Sequence, residues 1–310
     1  MSLIIVIAAV AVWRFWSAPV EPLINRGGGE SGSFLRIARP TFRDYLARAY
    51  QPRRPRRQSI NLTNFTDDFS TATTLEEAGR LTDSASPYWW LNSGGRLLVS
   101  AGLGQTLQGD LAAGDQWYKL YAASNPLDTD GGLHPQNIFR LVQTSQWLNF
   151  SQQNYFRINR LNFSASPNRN ASNGLFLFNR YQGGDDLYYT GLRMDGAAVI
   201  KKKIKGSYYT MAYQPIFTVD GRTYERDTNP NLLPLDTWIG LKSEVTTGTD
   251  GRVTIKLYTD IGRTGAWTLA LEALDDGVKY GGATINQAGY AGIRTDFMDL
   301  DLDDYRIAST

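Results

Sequence analysis

Beyond residue 60 the chain alternates apolar and polar positions with a period of two, the pattern of antiparallel strands with one buried face. It is clearest in the middle. Residues 155–163 alternate, 164–173 form a turn rich in Asn, Pro and Ser, and 174–181 make a second run. The turn Gln182-Gly183-Gly184-Asp185 and a third run over 186–194 follow. The pattern predicts further strands over 137–144, 199–204, 207–217, 238–246, 253–259, 267–274, 289–294 and 298–307. Residues 87–91 and 96–101 read as a hairpin across Asn92-Ser93-Gly94-Gly95, 74–78 as one helical turn, and 102–136 as a turn-rich stretch. No fixed period repeats, which disfavours propellers and solenoids. About thirteen strands with hairpin-length links predict an all-β fold, a two-sheet antiparallel β-sandwich of jelly-roll type.

Composition agrees. The chain has 310 residues, 30 glycines and 12% aromatics, which sheets and tight turns use more freely than long helices. Aspartates outnumber glutamates 23 to 7, and Asp favours turns where Glu favours helices. There is no cysteine, and His134 is the single histidine. Disulfides, thiolate chemistry and multi-histidine metal sites are thereby excluded.

The N-terminus follows a different pattern. Residues 1–12 are almost continuously apolar, and Trp13, Arg14, Phe15 and Trp16 come next. Extended to residue 20, this run approaches the length of a spanning helix, and its aromatics and Arg suit a membrane interface. A membrane anchor over 1–20 is the expectation. A cleaved signal peptide lacks its basic n-region here, and a buried strand at the extreme terminus is the remaining reading. Residues 21–60 form an arm with a Gly/Ser linker, a short helix over 41–50, and a basic Pro-containing end. Its Arg36, Arg39, Arg43, Arg48, Arg53, Arg54, Arg56 and Arg57 leave it strongly positive beside a mildly acidic body over 61–310. The alternatives are a solvated linker or docking onto anionic lipid or an acidic partner, at about 1 kcal/mol per Arg near an anionic membrane. An apolar terminus and an acidic body argue against nucleic acid. Arg placed after the apolar run favours a cytoplasmic body by the positive-inside rule, whereas sandwiches of this type favour the extracytoplasmic side, which is preferred slightly.

The two ends of the body carry a family resemblance. Asp67-Asp68-Phe69 opens it. Trp238-Ile239-Gly240-Leu241-Lys242 and 253–260 lie within, and Gly289-Tyr290-Ala291-Gly292-Ile293-Arg294 precedes Leu302-Asp303-Asp304-Tyr305-Arg306-Ile307. Over roughly 65–308 this order resembles the concanavalin A-like lectin/glucanase superfamily, including its laminin-G-like members. The resemblance implies a jelly roll. Its members include lectins, binding modules, hydrolases, lyases and structural domains, so fold does not select function. The Glu-x-Asp-x-x-Glu strand of the hydrolases is absent, and a retaining mechanism needs two carboxyls about 5 Å apart. The Gln-x-His strand of the lyases is absent too, since His134 sits in Gly132-Leu133-His134-Pro135. The expectation is a protein that is not an enzyme.

Three groups remain as candidate chemistry. Asp67, Asp68 and Asp303, if the first and last strands pair, fit the structural calcium that the resemblance implies. The alternative is an edge strand whose charges, with Asp299, Asp301 and Asp304, face water. No other cofactor is expected. Trp89, Trp90, Trp117, Tyr118 and Tyr188 belong to adjacent aromatic pairs, of which one member on a strand must point away from the core. Rings of this kind stack on sugars, or simply shield the sheet. Lys201, Lys202, Lys203 and Lys205 read as a solvated strand face or a small anion-binding stripe. Asn-x-Ser/Thr triplets begin at Asn61, Asn64, Asn149, Asn162 and Asn170. The function read from all this is a non-catalytic, membrane-anchored accessory or scaffold subunit. Its arm would dock on a membrane protein complex and its sandwich would present a binding face. Carbohydrate recognition at the cell surface is the alternative, and a glycoside hydrolase or polysaccharide lyase the next.

Overall fold

The computed structural model describes residues 62–218 and 221–310. The expected anchor over 1–20 and arm over 21–60 lie outside the described residues. So do the residues assigned to them, Trp13 to Trp16 and Arg36 to Arg57. Among the described residues no helix is long and apolar enough to cross a membrane.

In chain order the strands are β1 Asn64–Asp67, β2 Thr73–Glu76, β3 Trp89–Ser93, β4 Arg96–Ser100 and β5 Leu103–Gln105. Helix α1, Gln116–Ser124, precedes β6 Ile138–Trp147, β7 Phe150–Leu161, β8 Gly174–Gly183, β9 Asp186–Arg193, β10 Ala197–Ile204 and β11 Ser207–Pro215. Then come β12 Trp238–Thr247, β13 Val253–Ile261, β14 Thr268–Asp275, β15 Gly289–Asp296 and β16 Met298–Ser309. They form two antiparallel sheets. The nine-stranded sheet runs β14-β13-β12-β7-β16-β5-β4-β2, with β1 also on β16, and the seven-stranded sheet runs β11-β10-β9-β8-β15-β6-β3.

Alternation decides which side chains fill the space between the sheets. Phe156 and Ile158 of β7, Leu241 of β12 and Leu300 and Leu302 of β16 come from one sheet. They meet Leu175 and Leu177 of β8, Leu141 of β6 and Ile293 of β15 from the other, all fully buried. Each such side chain contributes about 1.5–3 kcal/mol of burial. The seven-stranded sheet differs in being buried on its second face as well. Val142, Phe176, Phe178, Leu187, Tyr189 and Val199 form a separate apolar cluster there. That is why β8 reads as a nearly continuous apolar run rather than an alternating one.

Several local expectations are corrected by tertiary context. Residues 87–101 do not form a hairpin, because β3 pairs with β6 in one sheet and β4 with β2 and β5 in the other. Gly94 and Gly95, at φ of 108° and 79°, carry the chain between layers. A Cβ on Gly94 would come within 2.8 Å of the Phe139 ring. The expected helical turn over 74–78 is instead largely strand β2, held by Leu75 packed in the core opposite Leu97. The turn-rich stretch contains α1. Its N-cap Asp115 accepts from Trp117 N at 2.7 Å, and Trp117 and Tyr121 bury one face at i, i+4 spacing.

The first and last strands do pair, Asp67 opposite Tyr305. Yet β16 is an interior strand between β7 and the β5/β1 side, so its aspartates are not an edge-strand device. Likewise β10 lies between β9 and β11 and is no solvated face. Lys202 points into the core side, and its Nζ meets the Asp275 carboxylate at 2.8 Å with both side chains fully buried. It also donates to the carbonyls of Gly282 and Ala283.

Candidate functional site

The acidic β16 is occupied by its own partners. Asp301 accepts from Arg157 Nη2 at 2.5 Å, from Gln105 at 2.7 Å and from Asn159 at 3.0 Å. Asp303 accepts from Arg263 Nη1 at 2.6 Å. Asp299 accepts from Gln136, Asn162 and Gly109 N and pairs with Arg160. At the other end Asp67 accepts from Trp89 Nε1 at 2.7 Å and from Phe69 N, while Asp68 accepts from Ser70 N. The calcium ligands expected at Asp67, Asp68 and Asp303 therefore each serve a different protein donor. Among the described residues no group of three His, Cys, Asp or Glu is placed to hold a metal ion.

The aromatic candidates separate by face. Trp89 and Tyr188 point between the sheets. Trp89 packs edge-on against Tyr305 at 4.6 Å, and Tyr188 donates to Asp275 at 2.6 Å. Trp117 is buried on α1 and donates its Nε1 to Glu76, and Tyr118 follows on the same helix. Of the five, Trp90 alone joins the cluster on the outer face of the seven-stranded sheet, its Nε1 donating to the Ala78 carbonyl.

That outer face holds the chemistry. Register places Arg294 of β15 directly opposite Arg140 of β6 and Phe176 of β8. It also places Lys201 of β10 opposite Tyr189 of β9, and Lys203 opposite Tyr208 of β11. Two arginines facing one another across strands are destabilising unless each has its own compensation. Arg140 donates to Asn92 Oδ1 at 2.9 Å and lies over the Phe178 and Tyr181 rings. Arg294 donates to Asp296 at 2.9 Å and to Tyr189 Oη at 3.1 Å, with its guanidinium 5.4 Å from the Tyr189 ring centre. Tyr189 and Tyr208 stack at 6.1 Å with 22° between ring planes, and Lys203 Nζ sits 4.8 Å from the Tyr208 ring centre. A small depression of ≈ 40 Å³ opens here, with Phe176, Tyr189, Tyr208, Lys201, Arg294 and Asn168 in its wall and Asp128 and Asp296 on its lining as well.

Its electrostatics are set by burial and by the two basic strands. Burial pushes the Asp296 carboxyl up, and the Arg294 charge offsets this only in part. Arg294 is itself held well above its ordinary value: burial disfavours its charge, but Asp296 and the two tyrosines outweigh burial. Burial raises Tyr189, with Tyr208 adding to the effect. Tyr208 goes the other way. Burial would raise its phenol, yet the charges of Arg294 and Lys203 and hydrogen bonds from Arg294 and Tyr189 hold it below the usual tyrosine value. A half-buried phenol held below the usual tyrosine value is an unusual group to find in a cavity wall.

The adjacent Tyr188-Tyr189 and Tyr208-Tyr209 pairs are the sequence signal for this face. Arg140, Arg294 and Asp296 carry none, because their convergence depends on β15 inserting between β6 and β8.

No family model matches this chain, and no curated protein matches it. Solved structures do. A carbohydrate binding module, CBM66, from Bacillus subtilis aligns over 56% of this chain and 83% of its own length, at 12% identity and a TM-score of 0.39. The GH43 BlXynB protein from Bacillus licheniformis aligns over 79% of this chain at 10% identity and a TM-score of 0.41, and this chain spans 39% of that protein. The exoplasmic/lumenal domain of VIP36, in its Ca2+/Man-bound form, aligns over 76% of this chain and 89% of its own, at 10% identity and a TM-score of 0.38. The double-sheet architecture stands on the strand pairings above, and no residue role is carried over from these structures.

Proposed function

We propose that the chain is a carbohydrate-binding β-sandwich, held at a membrane by residues 1–60, whose outer seven-stranded face takes the sugar. One observation carries the reading: the stacked Tyr189–Tyr208 pair borders an open depression that also presents Asn168, Lys201 and Arg294. Aromatic rings cover the C–H face of a pyranose while amide and charged groups fix its hydroxyls, the combination a sugar site needs. The scaffold role read from the N-terminus is compatible with this. Its arm would dock on a membrane or membrane complex while the sandwich displays the face. A glycan array probed with the full chain in detergent tests the proposal. Saccharide hits lost in Tyr208→Ala and kept in Trp117→Phe support it, and an array without hits rejects it.

A second reading, cleavage of a bound polysaccharide, is favoured by the Tyr208 phenol, whose lowered pKa suits a proton acceptor. The two carboxylates of the depression weigh against paired-acid hydrolysis. Asp128 accepts from Ser166, Asn168 and Asn125, and Asp296 is buried against Arg294. New reducing ends released from polysaccharide and abolished in Tyr208→Phe would establish turnover.

A further inference from the structure

The first and last described residues of the body meet at one end of the sandwich. Ser309 N donates to the Thr63 carbonyl at 2.9 Å, and Thr310 N donates to the Asn149 carbonyl at 3.2 Å. Leu62, where the described chain begins, therefore stands beside the two-residue link Leu148-Asn149 between β6 and β7. A buried arginine makes this end one piece. Arg180 donates Nε to the Leu148 carbonyl at 2.8 Å, Nη1 to the Ile285 carbonyl at 2.8 Å and Nη2 to Asn149 Oδ1 at 3.2 Å. Asn149 Oδ1 also accepts from Thr247 N at 2.9 Å, and Thr284 Oγ1 donates to the Gly251 carbonyl at 3.2 Å. The β6–β7 link, the β12–β13 turn and the β14–β15 link thus hold one another.

The tips of this end are apolar. Leu148 is 40% exposed and Val278 78%. Turn chemistry asks for neither, since tight links favour Asn, Asp and Gly, and Asn149, Asp276 and Gly277 already supply them. Asp276 fixes the Val278 loop by accepting from Val278 N and Lys279 N, both at 3.0 Å. Charge on the surrounding turns balances. Lys203 pairs with Asp185 and Arg252 with Asp250, while Lys205 N and Lys279 N donate to Asp186 and Asp276. Apolar tips on a rigid, charge-balanced end suit the interfacial layer of a bilayer, which they can enter without carrying a net charge with them.

We infer that this end, tipped by Leu148 and Val278, docks on the lipid surface, an inference that rests on membrane attachment through residues 1–60. The chain that precedes Leu62 carries the apolar run over 1–20 and joins the body at this same end. Two side chains hold a bilayer only weakly by themselves, and attachment through the preceding chain makes their contact intramolecular. From this end β7 runs 12 residues to Leu161, which cover roughly 40 Å. Asn168 and Phe297 belong to the connections at that far end, where Asn162 N donates to the Phe297 carbonyl. That part of the depression's wall therefore faces away from the bilayer.

The test uses the full chain, which has no cysteine of its own, in phosphatidylcholine vesicles. Val278→Cys and Leu148→Cys carry a polarity-sensitive fluorophore at the docking end. Ala165→Cys, exposed in the β7–β8 connection, carries it at the other. Flotation reads attachment, and quenching by nitroxide-labelled lipid reads contact with the bilayer. The chain is expected to float, with quenching at 278 and 148 severalfold above that at 165 and unchanged by raised salt. A label at Lys279→Cys should lose its quenching in Leu148→Ser/Val278→Ser, two changes at exposed positions, while flotation persists. Flotation with equal quenching at all three positions would overturn the inference and leave attachment intact. Blue-shifted emission at 278 without nitroxide quenching would overturn it as well, because a second copy of the chain would then cover the tip in place of lipid. A chain that does not float would reject membrane attachment and the docking end with it.

Discussion

Lys202 Nζ lies 2.8 Å from the Asp275 carboxylate with neither side chain exposed, and Tyr188 donates to the same carboxylate at 2.6 Å. This contact ties β10 to the end of β14, where the edges of the two sheets meet. It turns Lys202 inward, and alternation then puts Lys201 and Lys203 on the outer face with Tyr208. Removing one partner leaves a buried charge uncompensated. Lys202→Met is expected to cost about 3–5 kcal/mol in urea unfolding. The double variant Lys202→Met/Asp275→Leu is expected to recover much of that loss. Strict additivity of the two single losses would contradict this account.

Tyr208 and Trp117 make opposite predictions. Tyr208→Phe keeps the ring and removes the hydroxyl, so saccharide binding should fall about tenfold while Tm stays within about 2 °C. Trp117→Ala empties a buried ring position and breaks the bond to Glu76. It should cost about 3–5 kcal/mol of stability and leave the affinity of the folded protein unchanged. Titration of both variants against one ligand separates the two effects.

Alkali is expected to weaken the fold. Tyr188, Tyr155 and Tyr305 are raised above the ordinary tyrosine value of 10.0, in each case chiefly by burial. Folded, they keep their protons where the unfolded chain releases them. Their stabilisation is complete below pH 10 and is lost as pH rises above it. For the buried Tyr188 the slope is about 1.4 kcal/mol per pH unit. Tyr208 has the opposite sign, since its folded value lies below the unfolded one. Its ionisation contributes stability that is complete above pH 10 and is lost as pH falls through its lower folded value. An absorbance titration should show the Tyr208 phenol as a component below pH 10 that is missing from Tyr208→Phe, with Tyr188, Tyr155 and Tyr305 ionising only on unfolding.

Calcium is expected to leave stability unchanged, because Asp303 is engaged by Arg263 and Asp67 by Trp89. Thermal unfolding with chelator and with added calcium checks this. A calcium-dependent rise in Tm of more than about 3 °C, abolished by Asp303→Asn, would place an ion there.

Deleting residues 1–60 should shift the protein from membrane to soluble fractions and leave saccharide affinity intact, since every residue of the proposed site lies between Asn92 and Asp296. Fractionation and calorimetry on the shortened chain read both. Retention at the membrane after the deletion would remove the anchoring role.

The chain's own order determined the class of fold, because a period-two pattern can bury only one way, as a sheet face against another. It also marked the separation of a basic, apolar-tipped N-terminus from the body. It could not say which face each aromatic occupies. Trp89 and Trp90 look equivalent in the sequence, and only the pairing of β3 with β6 sends the first inward and the second out. Gly94 and Gly95 read as a hairpin turn because a turn signal is local, whereas the choice of sheet for the next strand depends on partners tens of residues away. The aspartates of β16 suggested a metal for the same reason. Their arginine partners, Arg157 and Arg263, lie 144 and 40 positions distant and are brought to them by the fold. The meeting of Arg140, Arg294, Tyr189, Tyr208 and Lys201 is likewise a product of strand order. Five residues from five strands share one face because β15 pairs between β6 and β8, and no local rule of sequence encodes that adjacency.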